Sequence, residues 1–171
     1  MNIEKAIFGG GCFWCTEAVF KMLKGVSKVL PGYSGGTKED AKYDKVSAGT
    51  TGHAEVTYVE YDPKEVSYHD LLTVFFASHD STTVNKQGND VGPQYRSVIF
   101  FTTPEQQAEA GEYIKAIPSA VTELEPFSEF FEAENYHQDY YESHKDAPYC
   151  QVIVNPKLEK VQKEFANLLK Q

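Results

Sequence analysis

Two cysteines three positions apart, Cys12 and Cys15, enclose two large aromatic residues in the run GGGCFWCTEAVF (9–20). Cys12 follows an apolar stretch and a glycine turn and opens a segment with helical spacing. A thiol at that position meets backbone N–H groups and the positive end of the helix dipole, so a lowered pKa and a nucleophilic sulfur are expected. The three glycines would let the backbone approach a ligand closely. Phe13 and Trp14 read either as the first core residues of the helix or as walls for a methyl or thioether group, with hydrogen-bond donors nearby. The Cys12-x-x-Cys15 pair alone is a weak signal, shared by redox pairs and halves of metal sites. A zinc site would have to recruit Cys150 and a histidine, and no other pair has finger-like spacing, so no metal and no cofactor are expected.

Two polar stretches hold the remaining candidates, TTGHAE (50–55) and QGNDVGPQYRS (87–97). Glu55 is a surface residue on composition. In an apolar pocket its pKa would rise and it would become a proton donor near neutrality. Asp90 and Arg96 read as site groups or as a loop salt bridge, and Tyr33, Tyr43 and Tyr95 are phenol donors that the sequence does not rank. His53 and His137 keep open a second chemistry, acyl transfer by a cysteine–histidine pair.

The elements that must position these groups follow from periodicity. Strands are expected at IEKAIFGG, at VSKVLPGY (weakened by Pro31), at AEVTYVEYDP, at SVIFFTT and at AVTELEP. Helices are expected over 13–23, from Ser67 with a capping box to Asp70, from Thr103 with Pro104 and Gln106, and from Asn155 with Pro156. Residues 32–53 and 81–96 read as long polar loops, and 128–144 as helical or mixed. The first six elements run strand, helix, strand, strand, helix, strand, which is the split βαβ order of ferredoxin-like domains. The expected fold is therefore an α+β two-layer sandwich with a ferredoxin-like core and additional helices. The 171 residues are expected to form a single catalytic domain with 151–171 as a C-terminal helical extension.

A net charge of −9 without a basic stripe argues against a nucleic-acid partner. No apolar run reaches the roughly 20 residues of a membrane span, and the first ten residues do not read as a signal peptide. Three cysteines, two of them close together, fit reduced thiols in a cytoplasmic monomer better than a secreted disulfide framework.

The motifs GCFWCTEAVF, GYSGG, GTTGHAEV, KQGNDVGPQYRS and AENYHQDYY, in this order over residues 9 to about 150, resemble the peptide methionine sulfoxide reductases of the A type. The resemblance implies reduction of the S epimer of methionine sulfoxide, free or in oxidised proteins, with thioredoxin as the reductant. It implies Cys12 as the nucleophile, Phe13 and Trp14 as the methyl-binding walls, Glu55 as the acid, and Tyr43, Tyr95 and Asp90 as hydrogen-bonding catalytic groups. Cys150, in PYC, is similar to a C-terminal resolving cysteine, and Cys15 is a second candidate where glycine is common. Cys150 is expected to resolve first, because SHKDAPYC reads as a mobile loop and a Cys12–Cys15 bridge would need the first helical turn to relax.

Overall fold

The computed structural model describes residues 2–171. Six strands form one sheet: β1 (Glu4–Gly9), β2 (Val26–Ser34), β3 (Ala54–Tyr61), β6 (Val98–Phe101), β7 (Glu123–Pro126) and β8 (Phe131–Glu132). Their order is β7-β6-β1-β3-β2-β8, and every neighbouring pair is antiparallel except β6 and β7. The parallel pair needs a crossover, which α4 (Pro104–Lys115) supplies. A separate two-stranded hairpin joins β4 (Lys86–Gln87) to β5 (Asp90–Val91).

The period of two along β3 separates two environments. Glu55, Thr57 and Val59 face the helices, where the Thr57 hydroxyl lies 2.6 Å from that of Thr16. Ala54 and Val56 face the other side and pack with Ile7, Val98 and Phe100 under Phe127 and Phe130. The larger core lies on the helical face. There Phe8 stacks on Phe20 of α1 (Phe13–Lys21) at 5.1 Å and meets Phe75 of α3 (Tyr68–Ala77) at 4.9 Å. Burying each such ring contributes about 2–3 kcal/mol against leaving it in water. Ser67 caps α3 and shares a reciprocal capping box with Asp70, as its spacing predicts.

The strand expected at VSKVLPGY forms as β2 and accommodates Pro31. The Pro31 carbonyl accepts from Ala133, on the side of the two-residue β8, so the missing N–H faces the thinnest part of the sheet. Other expectations are corrected. The stretch 32–53 is not one long loop: it completes β2 and then forms a 3₁₀ turn at Lys38–Asp40 and α2 (Tyr43–Ser47). Thr103 caps α4, but the Gln106 side chain accepts from Thr102 N–H and donates to the Lys5 carbonyl, so the box is not closed on Thr103. Residues 128–144 contain β8, a 3₁₀ turn at Asn135–His137 and α5 (Tyr140–Ser143). Asn155 does not cap the final helix α6 (Asn155–Glu164), because a π-helix at Cys150–Val154 runs straight into it; its side chain accepts from the Tyr141 hydroxyl at 2.6 Å. The chain end joins the core, with Leu168 buried and Leu169 bridged to Leu23.

Candidate active site

Close packing and a turn require glycine at two positions before Cys12. A Cβ on Gly10 would lie 2.8 Å from Phe75, and one on Gly11 would lie 2.6 Å from Gln87, at a φ of +91° that disfavours side chains. Cys12 itself is the N-cap of α1 in an extended conformation, and its carbonyl accepts from Cys15 N–H. Its side chain is 8% exposed. Burial pushes its thiol well above the ordinary range, and the neighbouring Glu55 and Cys15 add to the rise. A hydrogen bond from Trp14 N–H pulls the other way, as does the Tyr149 hydroxyl when its one proton turns from Asp90 to the sulfur. The stabilisation expected at a helix start is present in the Trp14 amide, but desolvation outweighs it, so the resting sulfur keeps its proton. The sequence expectation of a lowered pKa is corrected on this ground.

Glu55 stands at the same helix opening. It is 2% exposed and accepts a hydrogen bond from Phe13 N–H at 3.2 Å. Burial pushes its pKa up to about 8, held back by the Phe13 amide and raised slightly by Asp90. At neutral pH the carboxyl is therefore protonated and available as an acid.

Cys12, Phe13, Trp14 and Glu55 line one pocket of about 180 Å³ together with Tyr43, Asp90, Tyr95 and Tyr149. Trp14 is held from two sides: its indole N–H donates to His137 Nδ1 at 3.1 Å, and its ring stacks on Tyr140 at 3.7 Å. Tyr43 is set by Glu134, which accepts from the Tyr43 backbone N–H and from the Tyr33 hydroxyl. Tyr95 ends a 3₁₀ turn tied to α2 through the Gln94 amide and the Ser47 carbonyl. Burial, followed by the charge of Glu55, raises the pKa of both Tyr43 and Tyr95, so both remain hydrogen-bond donors. Asp90 accepts from the Tyr149 hydroxyl at 2.8 Å. The pocket thus joins an apolar wall, two phenol donors, a neutral carboxyl and a sulfur.

Other candidates fall outside it. His53 is engaged by Gly36 N–H and the Thr37 carbonyl. His137 Nδ1 is occupied by Trp14, and among the described residues no histidine lines the pocket of Cys12, which removes the support for acyl transfer. Arg96 pairs with Glu123 rather than Asp90. Tyr33 is fully buried and serves Glu134. Among the described residues no set of three or more His, Cys, Asp or Glu side chains converges as a metal site. Cys150 is not on a mobile loop but fully buried at the start of the π-helix, in the same core cluster as Cys15. Tyr149, Tyr140 and Glu134 were missed in the sequence. Tyr149 adjoins the singled-out Cys150, but nothing in PYC shows that the tyrosine and the cysteine face different environments.

A family model described as "Peptide methionine sulfoxide reductase" matches residues 4–169. The peptide methionine sulfoxide reductase MsrA of Sulfolobus acidocaldarius is 51% identical over 168 residues, covering 95% of this chain and 96% of that protein. The protein of the same name from Saccharolobus solfataricus is 49% identical over 173 residues, with 98% of each covered. Among solved structures, reduced Mxr1 from Saccharomyces cerevisiae superposes with a TM-score of 0.79 at 30% identity, over 86% of this chain and 89% of that one. Pocket and comparisons agree, and this chain belongs to the peptide methionine sulfoxide reductase family.

Proposed function

We propose that this chain reduces methionine-S-sulfoxide, free or in oxidised proteins, to methionine at Cys12, and that a dithiol protein such as thioredoxin restores it. The observation that carries the reading is the protonated, buried Glu55 held by the first amide of the helix that Cys12 caps. Phe13 and Trp14 receive the substrate methyl, Tyr43 and Tyr95 donate to the oxygen, and Asp90 holds the Tyr149 hydroxyl beside the pocket. Glu55 passes its proton to the sulfoxide oxygen, and the carboxylate formed takes the Cys12 proton as the sulfur attacks. The raised pKa of each group suits this exchange: burial disfavours both charges, and an ionised Glu55 further disfavours the Cys12 thiolate. The substrate sulfur gains two electrons and leaves as a thioether. Cys12 loses two electrons and becomes a sulfenic acid. A second thiol then condenses with it, releasing water and forming a disulfide that a dithiol reduces by exchange.

We further propose that Cys15, rather than Cys150, provides that second thiol. Cys12 and Cys15 are N-cap and N3 of α1, the two positions whose side chains reach each other in a capping box, so no turn has to unwind. The Tyr149 hydroxyl is a hydrogen-bond partner of Cys12 and lies 3.9 Å from the Cys15 sulfur. Cys150, buried in the same core cluster as Cys15, becomes the later partner. The strand order β6-β1-β3-β2, with its antiparallel pairs, supports a split βαβ core, and Leu158, Val161 and Leu168 support reading 151–171 as an extension packed on a single catalytic domain.

The test mixes reduced protein with methionine-S-sulfoxide without a reductant. About one equivalent of methionine is expected from sulfenic acid formation alone. Cys12→Ser should yield none, and disulfide mapping should find Cys12–Cys15 in Cys150→Ser. Full yield from Cys12→Ser would remove the mechanism.

A further inference from the structure

A methionine sulfoxide side chain spans only roughly 6 Å from its Cα to its methyl. A polypeptide whose sulfoxide reaches Cys12 must therefore lay its main chain across the mouth of the pocket. Beside that mouth lies a second cleft, of about 400 Å³, which shares Cys12, Asp90 and Tyr149 with the first. One wall is apolar, from Val152, Ile153 and Pro156, and the other is the β4–β5 turn at Gln87–Asn89. Val152 is 68% exposed, in a molecule that otherwise buries most of its large aliphatic side chains. Lys157 lies in the same wall, and among the described residues no carboxylate pairs with it. Free methionine sulfoxide needs none of these groups, because its reacting end is held in the inner pocket. A residue adjoining the sulfoxide in a longer chain has this cleft as the continuation of that pocket.

We infer that the cleft is the subsite for the residue flanking methionine sulfoxide in an oxidised polypeptide, and that it takes a bulky apolar side chain and rejects a cationic one. The inference rests on the proposed reduction at Cys12 and adds a sequence preference to it. Apolar matching comes from Val152, Ile153 and Pro156. Asp90, the one carboxylate among the described residues of the cleft, is engaged by the Tyr149 hydroxyl. Rejection therefore comes from the unpaired ammonium of Lys157, which a second cation would meet at close range.

The experiment is a single turnover of the reduced enzyme with three substrates: free methionine sulfoxide, a blocked Leu-Met(O)-Leu peptide and a blocked Lys-Met(O)-Lys peptide. The leucine peptide should react about tenfold faster than the lysine peptide, the effect of burying roughly 50 Å² of apolar surface. In Val152→Asp the ratio of the leucine-peptide rate to the free-substrate rate should fall about tenfold. In Lys157→Glu the lysine peptide should gain on the leucine peptide. Equal rates for both peptides, unaltered in Val152→Asp while the free substrate still reacts, would overturn the subsite and leave the activity standing. No methionine from any substrate would instead remove the reading of Cys12. A Val152→Asp variant that slows only re-reduction by thioredoxin would make the cleft a reductant dock, and the inference would fall.

Discussion

Replacing Glu55 by glutamine removes one proton and almost no volume, and the structure sets the size of the effect. With the carboxyl at about pH 8, about 90% of it is protonated at pH 7 and only about 10% at pH 9. Glutamine cannot act as the acid, so the first step at pH 7 should slow by about 10²- to 10⁴-fold. The deficit should shrink on the alkaline side, where wild-type Glu55 is itself a carboxylate, and the two enzymes should converge by roughly a hundredfold between pH 7 and pH 10. A second signature has the opposite sign. The charge of Glu55 is the second cause of the raised Cys12 pKa, so above about pH 8, where the wild-type carboxyl is ionised, Glu55→Gln lowers that pKa toward the ordinary value and should speed alkylation of Cys12 by iodoacetamide. Stability supplies a third. A carboxyl whose pKa is raised on folding contributes most below its unfolded pKa and loses that contribution as pH rises toward 8, about 3 kcal/mol by pH 7. The glutamine variant lacks this loss and should unfold at higher denaturant at pH 7 to 8. Stopped-flow measurement of methionine release over pH, with alkylation and urea titrations beside it, reads all three. A variant that keeps the wild-type rate and its alkaline limb near pH 8 would refute the assignment of the acid.

Other substitutions test the surroundings. Tyr149→Phe removes the hydroxyl whose single proton serves Asp90 or, turned to the sulfur, lowers the Cys12 pKa. Alkylation of Cys12 should slow severalfold at fixed pH, the reverse of Glu55→Gln. Gly10→Ala places a methyl 2.8 Å from Phe75 and 3.0 Å from the His79 ring, and urea unfolding should show a loss of about 1–3 kcal/mol. Glu17, 2% exposed and accepting from Asp139 N–H, has its pKa pushed by burial up to about 7. Its folded pKa lies above the unfolded one, so its contribution to stability declines as pH rises from about 4.5 to 7. Glu17→Gln should flatten the pH dependence of the unfolding midpoint in that window.

Much of the frame was legible because it depends on local chemistry. Capping residues, proline at helix starts and alternation along β3 act over a few positions, and their outcomes at Ser67, Thr103 and Ala54–Tyr61 follow. The errors have a common cause. Asn155 and Gln106 read locally as a helix cap and as the second half of a capping box. Each was decided by a distant partner: Tyr141 on Asn155 and the Lys5 carbonyl on Gln106. Tyr149 and Glu134 could not be picked out for the same reason, since their roles exist only through Asp90, Tyr33 and Tyr43.

By itself the sequence determined which groups are present, the order of the first elements and the placing of Cys12 at a helix opening, because these depend on residue type and near neighbours. Only the tertiary structure decided the protonation of those groups and the access of the thiols. Desolvation depends on everything packed around an atom, and here it keeps the proton on Cys12 and on Glu55 and buries Cys150 in the core.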